Sequence, residues 1–205
     1  MTVMDVAGHP GRTRSPVGAR PGRLPSALSR CQRVVAVTVR LPEFLLAAAG
    51  TAQRLDAAGV SVDLLELAWL SSTAERAAVA ALDRLELRAL SRHRLAMLAP
   101  FGVERTGDVV AAMSELIGFD PEPGVLCLVP GPGDGHRAAY QAVDATAALI
   151  ADAYRMRILR YAPAVGARTA EVELEPDEWR RKCDSLAACA PDVAPLSGRR
   201  EFFAT

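Results

Sequence analysis

The stretch RVVAVTVRLPEFLLAAAG, residues 33–50, decides the expected fold of this chain. Its first seven residues form a short, continuous run rich in β-branched side chains, which is typical of a strand buried on both faces. Apolar side chains then recur at helical spacing from Phe44 onward. Pro42 suits the first turn of that helix, and Glu43 suits the positive N-terminal end. A buried strand that leads directly into a helix is typical of α/β proteins.

The rest of the chain continues this alternation of strands and helices. The pattern predicts strands at 60–70, 125–130, 157–163 and 167–175, and helices at 72–99, about 108–117, 136–156 and 176–192. This order predicts a three-layer, Rossmann-like α/β sandwich with a mostly parallel sheet and helices on both faces. In such folds, ligands bind at the carboxyl ends of the strands.

The chain is expected to form a single domain over residues 31–205. Residues 1–30 are rich in Gly, Pro, Ser and Arg, hold few large apolar side chains, and are interpreted as a flexible tail. The four cysteines show no CxxC pair and no zinc-ribbon spacing, and Cys127 lies in an apolar run that predicts a small core residue. No hydrophobic run reaches the length of a membrane span, and no secretory signal is evident, so a cytoplasmic setting is expected.

The charge balance favours neither nucleic acid nor an anionic membrane as a partner. The formal net charge of the 205 residues is zero, and aromatic residues make up only 5% of them. We therefore expect a small-molecule ligand or a protein partner, and the sequence leaves the oligomeric state open.

The segment GPGDGHR, residues 131–137, draws attention to Asp134 and His136. It is not a Walker loop, because no Lys followed by Ser or Thr stands at the required spacing, and it is not the dinucleotide fingerprint, which should follow the first strand. His136 is a candidate metal ligand or acid/base group beside Asp134. The alternative is a capping or loop histidine. His93 is predicted to lie among arginines on a solvated helix face.

Taken together, the segments around residues 40 and 136 resemble the PIG-L or LmbE-like zinc N-deacetylases, a family that includes the GlcNAc-PI de-N-acetylase-like proteins. The first is similar to the strand, histidine- and aspartate-rich loop and helix that open the family, with Leu46 and Gly50 in matching places. The second is similar to its His-Pro-Asp-His-Arg-Ala-Val motif. The resemblance spans roughly residues 33–193, and it implies amide hydrolysis on N-acetylated sugars or related compounds.

The resemblance also implies that the family's metal chemistry is degraded here. In the first loop Arg40 replaces a zinc-ligating His, Pro42 replaces the general-base Asp, and Glu43 replaces the ligating Asp. In the second motif Gly133 replaces the first His, whereas His136, Arg137 and Ala138 match the family. Glu43 and His136 are then at most two vestigial metal ligands, fewer than the three protein ligands usual for catalytic zinc. No zinc or other cofactor is expected, and an ion pair between Arg40 and Glu43 could fill the vacancy.

Two functions from different classes follow. The first is a catalytically degenerate family member, a pseudoenzyme that acts as a binding, scaffold or partner subunit. The alternative is a hydrolase of the N-deacetylase type with an altered, metal-free or rebuilt site. In it His136 and Asp134 would be catalytic, and Arg40 and Arg137 would bind a carboxylate or phosphate of the substrate. A third interpretation is an α/β domain whose order of elements matches the family by coincidence.

Overall fold

The computed structural model describes residues 24–26, 28–119, 121, 123–131, 138–162, 167–194 and 198–205. Its strands are β1 (Arg33–Thr38), β2 (Ser61–Ala68), β3 (Leu90–Met97), β4 (Val125–Pro130), β5 (Arg157–Tyr161), β6 (Ala170–Glu173) and β7 (Arg200–Ala204). Its helices are α1 (Leu41–Ala47), α2 (Ala49–Ala57), α3 (Ser72–Asp83), α4 (Thr106–Ile117), α5 (Ala138–Tyr154) and α6 (Pro176–Cys189).

The described strands form one seven-stranded sheet with the order β3-β2-β1-β4-β5-β7-β6. Neighbouring strands from β3 to β5 are parallel, and β7 runs antiparallel to both β5 and β6. The predicted α/β class with a mostly parallel sheet is therefore confirmed. The central strand β1 aligns Thr38 with Glu66 of β2 and Ala36 with Leu128 of β4, so these strands end at the same edge.

Two core clusters cover opposite faces of the sheet, as expected for three layers. Alternate residues of β1 enter different clusters, with Val34 and Ala36 in the first and Val35 and Val37 in the second. The first cluster packs apolar residues of α1, α2, α3 and α6 on the sheet, and the second packs those of α4 and α5. A strand buried on both faces explains why the sequence of β1 is continuously apolar.

The predicted helix over 72–99 is wrong in its second half. Helix α3 ends at Asp83, and Leu90–Met97 forms the edge strand β3, so His93 lies on a strand and not on a helix. The leucines of this segment fit helical spacing, which explains the prediction. Strand β3 lies at the edge of the sheet, and most of its residues are only half-buried. That partial exposure permits the polar residues that had suggested the outer face of a helix. On β3, Nε2 of His93 lies 3.3 Å from the Asp63 carboxylate.

Two further elements differ from the sequence prediction. The helix after β1 is broken at Ala48, whose backbone φ of −141° is not helical, so α1 and α2 are separate. Strand β7 was not predicted, because five residues near the chain end give little periodicity and its pairing depends on distant β5 and β6. The strands β2, β4, β5 and β6 and the helices α4 and α6 lie where the sequence predicts them.

The division into a tail and one domain remains a prediction, since residues 1–23 lie outside the described residues. Of the residues assigned to the end of that tail, Leu28 is fully buried and packs in the first core cluster. Among the described helices, none combines the length and apolar character that crossing a membrane requires.

Candidate functional site

The first loop lies at the carboxyl end of β1, where Arg40 links the strand to α1. The backbone of Arg40 is extended, and Pro42 stands in the first turn of the helix, as the sequence predicts. The Glu43 carboxylate folds back to accept a hydrogen bond from the Arg40 backbone N–H at 3.3 Å. This satisfies one of the N–H groups that a helix start leaves without an intrahelical partner.

The predicted ion pair between Arg40 and Glu43 is confirmed. Nε and Nη2 of Arg40 lie 3.3 and 3.2 Å from Oε1 of Glu43. The Arg40 side chain is 55% exposed and that of Glu43 is 20% exposed, so the guanidinium keeps a face toward solvent. An exposed pair of this kind adds little to stability. Its effect is local, because it fixes a cation at the carboxyl edge of the sheet and engages the carboxylate beside it.

A buried carboxylate holds the start of α1 in place by a hydrogen bond. Glu66, near the end of β2, is fully buried, and its Oε1 accepts a hydrogen bond from the Leu41 N–H at 3.2 Å. Its other oxygen pairs with Arg92 of β3, which also donates to Glu75 of α3 at 2.8 Å. The start of α1 is thereby linked to a network of charged residues that extends to the outermost strand, β3.

The electrostatics of this network favour the charged forms of Glu75 and Arg92. Burial alone would raise the pKa of Glu75, but hydrogen bonds and positive charge from Arg92 and then Arg94 hold it below its usual value. Burial likewise opposes the charged form of Arg92, yet hydrogen bonds to Glu66 and Glu75 raise its pKa. The network was not predicted from the sequence, because Arg92 was expected on a helix and lies on strand β3. The one available signal was Glu66, a charged residue inside an apolar run.

Two hydroxyl groups fix the end of β1. Thr38 Oγ1 donates to the Arg40 carbonyl at 2.7 Å, and the Tyr161 hydroxyl donates to the Val37 carbonyl at 2.9 Å. Tyr161 is buried, and burial, with a smaller contribution from the Glu43 charge, raises its pKa well above the usual value. Tyr161 therefore stays a neutral hydrogen-bond donor that positions β1 from β5.

The ends of β1, β2 and β3 lie side by side at this edge. The Ala68 N–H donates to the Val39 carbonyl at 3.0 Å, and the Trp69 N–H donates to the Met97 carbonyl at 2.7 Å. The residue that follows Met97, Leu98, is 74% exposed and Trp69 is 54% exposed, although their neighbours in the chain Ala68 and Met97 are buried. The carboxyl edge therefore carries the Arg40 cation and two large apolar side chains.

The predicted residues of the second motif, Asp134, His136 and Arg137, lie outside the described residues. The same holds for Gly133 and Gly135. The structure describes this connection up to Gly131, whose N–H donates to the Tyr161 carbonyl at 2.7 Å, and again from Ala138, where α5 begins. The convergence of Arg40 and Glu43 with His136 on one pocket stays a prediction.

The described part of the site does not fit a catalytic zinc ion. A guanidinium has no lone pair to donate and stays protonated in proteins. Of the Glu43 carboxylate oxygens, one contacts the Arg40 guanidinium and the other accepts from its backbone N–H. Within the described ranges, no group of three or more His, Cys, Asp or Glu side chains is arranged to hold a metal ion. Cys127 is no candidate ligand either, since it is a buried core residue, as predicted, and burial raises its pKa to about 12.

Comparison with known proteins supports the resemblance at the level of the fold. No protein-family model matches the chain, and no curated protein matches its sequence. Solved structures do match. A deacetylase of teicoplanin biosynthesis, solved as a complex with teicoplanin, is 13% identical with a TM-score of 0.62, covering 84% of this chain and 97% of that one. The conserved protein TT1542 from Thermus thermophilus is 16% identical with a TM-score of 0.66, covering 85% and 94%.

A third match is the N,N'-diacetylchitobiose deacetylase from Pyrococcus horikoshii, complexed with its inhibitor MPG. It is 13% identical with a TM-score of 0.62, and the match covers 84% of this chain and 74% of that one. The first and the third of these structures are deacetylases, and all three share the fold of this chain. At these identities the likeness concerns the arrangement of the chain, and chemistry has to be argued from the site residues themselves.

Proposed function

We propose that this chain binds an amide-bearing small molecule at the carboxyl edge of its sheet, in a site whose first loop holds no zinc ion. The observation that carries the proposal is the Arg40–Glu43 ion pair at the end of β1, 3.2 Å between the charged groups. Its location supports ligand binding, because crevices at the carboxyl ends of parallel strands are where α/β folds bind their ligands.

The same pair argues against zinc-dependent deacetylation. At the position where the resemblance implies a ligating histidine, Arg40 places a fixed positive charge that repels a dication. Pro42, at the general-base position, cannot accept a proton. Without the metal and the base, the reaction loses the lowered pKa of a metal-bound water and a proton transfer worth about 100- to 10,000-fold in rate.

The comparisons favour a hydrolytic form of this function, an amide hydrolase of the N-deacetylase type with an altered site. In that form the Glu43 carboxylate, or the predicted pair of Asp134 and His136, accepts a proton from the attacking water and passes it to the amide nitrogen as the C–N bond breaks. The exposed face of Arg40 then holds a negatively charged oxygen, on the substrate or on the tetrahedral intermediate. The support is that the chain shares its fold with several deacetylases over more than four fifths of its length.

A second form is a binding or partner subunit without catalysis. Pro42 and the engaged carboxylate of Glu43 favour it, because the first loop then offers a ligand one cation and no unengaged base. The two forms differ in one observable, the release of acetate from a bound amide.

The experiment uses N,N'-diacetylchitobiose and a panel of N-acetyl amino acids, with binding followed by calorimetry and free acetate by an enzymatic assay. We expect saturable binding of at least one compound that persists in EDTA and is weakened by Arg40→Ala. Arg180→Ala is the matched control, because Arg180 also pairs with a carboxylate three residues away, Asp177, on helix α6 and outside the first loop.

Acetate release that survives EDTA and falls in His136→Ala would establish the hydrolytic form. Binding without release, unaffected by His136→Ala, would establish the binding form. Activity that disappears in EDTA and returns with added zinc would contradict the proposal as a whole.

A further inference from the structure

We propose that the ligand of this site carries an alkyl or aryl substituent that packs on Trp69 and Leu98, here called the apolar shelf. The inference rests on the proposed function and specifies the ligand class as an amphiphilic amide. Its polar or anionic part lies at Arg40 and its apolar part lies on the shelf.

Strand pairing defines the geometry of the shelf. Ala68 and Met97 are register partners of β2 and β3, and the Trp69 N–H donates to the Met97 carbonyl at 2.7 Å. Trp69 and Leu98 therefore leave two adjacent strands at the same level. Neighbouring strands are about 4.8 Å apart, so the two side chains are close enough to contact one ligand group together.

The shelf lies directly beside the first loop. The Ala68 N–H donates to the Val39 carbonyl at 3.0 Å, which places the chain at Trp69 one strand away from the chain at Arg40. Leu98 follows one strand further on, so the three positions span roughly 10 Å, two strand spacings, along the carboxyl edge. A small molecule of that length reaches from the guanidinium to the far side of the shelf.

Exposure distinguishes these two side chains from their surroundings. Ala68, Met97 and Val39 are all less than 10% exposed, whereas Trp69 is 54% and Leu98 is 74% exposed. A single exposed apolar residue is ordinary. Two large ones directly after the ends of adjacent strands, next to a cation at the carboxyl edge of the sheet, combine an apolar wall with a charged anchor, as small-molecule sites do.

The charge of Arg40 indicates which kind of ligand the shelf accepts. Its guanidinium is paired on one side with Glu43 yet remains 55% exposed, so it complements a carboxylate or a polarised carbonyl at the near end of the shelf. Together with the small span of the shelf, this favours a small amphiphile over a second protein chain.

The test compares N-octanoylglycine with N-acetylglycine, which share an amide and a carboxylate and differ in the length of the acyl chain. Titrations by calorimetry use the unaltered protein. A parallel fluorescence titration uses Trp179→Phe, which leaves Trp69 as the sole tryptophan of the two in the chain. We expect the octanoyl compound to bind at least about tenfold more tightly and to shift the Trp69 emission to shorter wavelength.

Leu98→Asp should abolish that preference, because it weakens the binding of the octanoyl compound far more than that of N-acetylglycine. The matched control is Leu149→Asp, a leucine of α5 that is 55% exposed, and it should keep the preference. Both positions are exposed, so neither change disturbs the core.

Three results would contradict the proposal that the ligand packs on the apolar shelf. Equal affinity for the two acylglycines, with both weakened by Arg40→Ala, would remove the shelf and leave the proposed function intact. Failure of both compounds to bind would remove the shelf and count against the proposed function as well. A change in the sedimentation of the ligand-free protein on Leu98→Asp would show that these side chains join two copies of the chain.

Discussion

The starts of α1 and α2 use the same chemistry in opposite environments. At α1, Glu43 accepts the Arg40 backbone N–H and pairs with the Arg40 guanidinium at the surface. At α2, the Glu201 carboxylate from β7 accepts the N–H groups of Gly50 and Thr51 at 2.9 and 2.7 Å.

Burial separates the two arrangements. Glu201 pairs with Lys182 of α6 at 2.6 Å, and both side chains are at most 2% exposed. The buried arrangement connects three elements that are distant in sequence and cannot reach a ligand. The exposed one links residues three apart, holds little of the fold together, and faces solvent at the edge where a ligand would bind. We therefore expect perturbation of the buried arrangement to change stability and perturbation of the exposed one to change ligand binding.

The largest effect is expected from Lys182→Met. The substitution leaves the Glu201 carboxylate buried without its cation, which costs about 3–5 kcal/mol of unfolding free energy. Urea denaturation followed by circular dichroism measures the loss. The double variant Lys182→Met/Glu201→Gln should regain part of it, because no net charge is buried and the amide oxygen still accepts from one of the two α2 N–H groups. A loss below about 1 kcal/mol in the single variant would show that the pair is not buried as described.

A smaller loss of unfolding free energy is expected from Gly50→Ala at the start of α2. An added Cβ would lie 2.3 Å from Leu174 Cδ1, so packing must shift at a cost of about 1–3 kcal/mol. Gly107→Ala in α4 is the matched control, since a Cβ there meets no atom within 4 Å. It should stabilise the protein by up to about 1 kcal/mol through helix propensity. Equal effects of the two substitutions would contradict the close packing at α2.

An intermediate case is Glu75, which is partly exposed and paired with Arg92 and Arg94. Its pKa is lowered in the folded protein, because the two arginines outweigh the effect of burial. Its contribution to stability is therefore complete above the unfolded pKa of about 4.3 and is lost as pH falls through the lower folded pKa. Glu75→Gln should reduce the unfolding free energy at pH 7 and flatten its dependence on pH below about 4.3. A parallel pH profile for the variant and the parent would refute the assignment.

The smallest effect on stability is expected from Arg40→Ala. The pair is exposed, so the unfolding free energy should change by no more than about 0.5 kcal/mol, and less in high salt. Ligand affinity should fall in the same variant. A large loss of stability without a loss of binding would reverse the assignment of the two helix starts.

Much of the fold can be predicted from local pattern. The apolar runs at 33–39 and 125–130 are buried on both faces, which is a signal that a single window of sequence contains. Strand β3 was missed because leucines spaced as in a helix also suit a half-buried edge strand, and β7 was missed because its partners lie far away in the chain. Pairing across the sheet is not encoded in either segment alone.

In the candidate site, too, contacts between residues close in sequence could be predicted and contacts between distant residues could not. The Arg40–Glu43 pair joins residues three apart at a helix start, and it was expected from the vacancy that the resemblance implies there. The Glu66–Arg92 contact joins residues 26 apart and depends on β3 being a strand, so it could not be anticipated. Trp69 and Leu98 directly follow paired residues of β2 and β3, so their placement side by side depends on that pairing.

The zinc content of the purified protein tests the central claim most directly. The full chain is incubated with one equivalent of zinc, passed through gel filtration, and assayed by elemental analysis beside Arg40→His/Pro42→Asp, which places in the first loop the two residues that the resemblance implies. We predict that the parent retains well under one equivalent and that the double variant retains more. One equivalent retained by the parent and lost on His136→Ala would contradict the account.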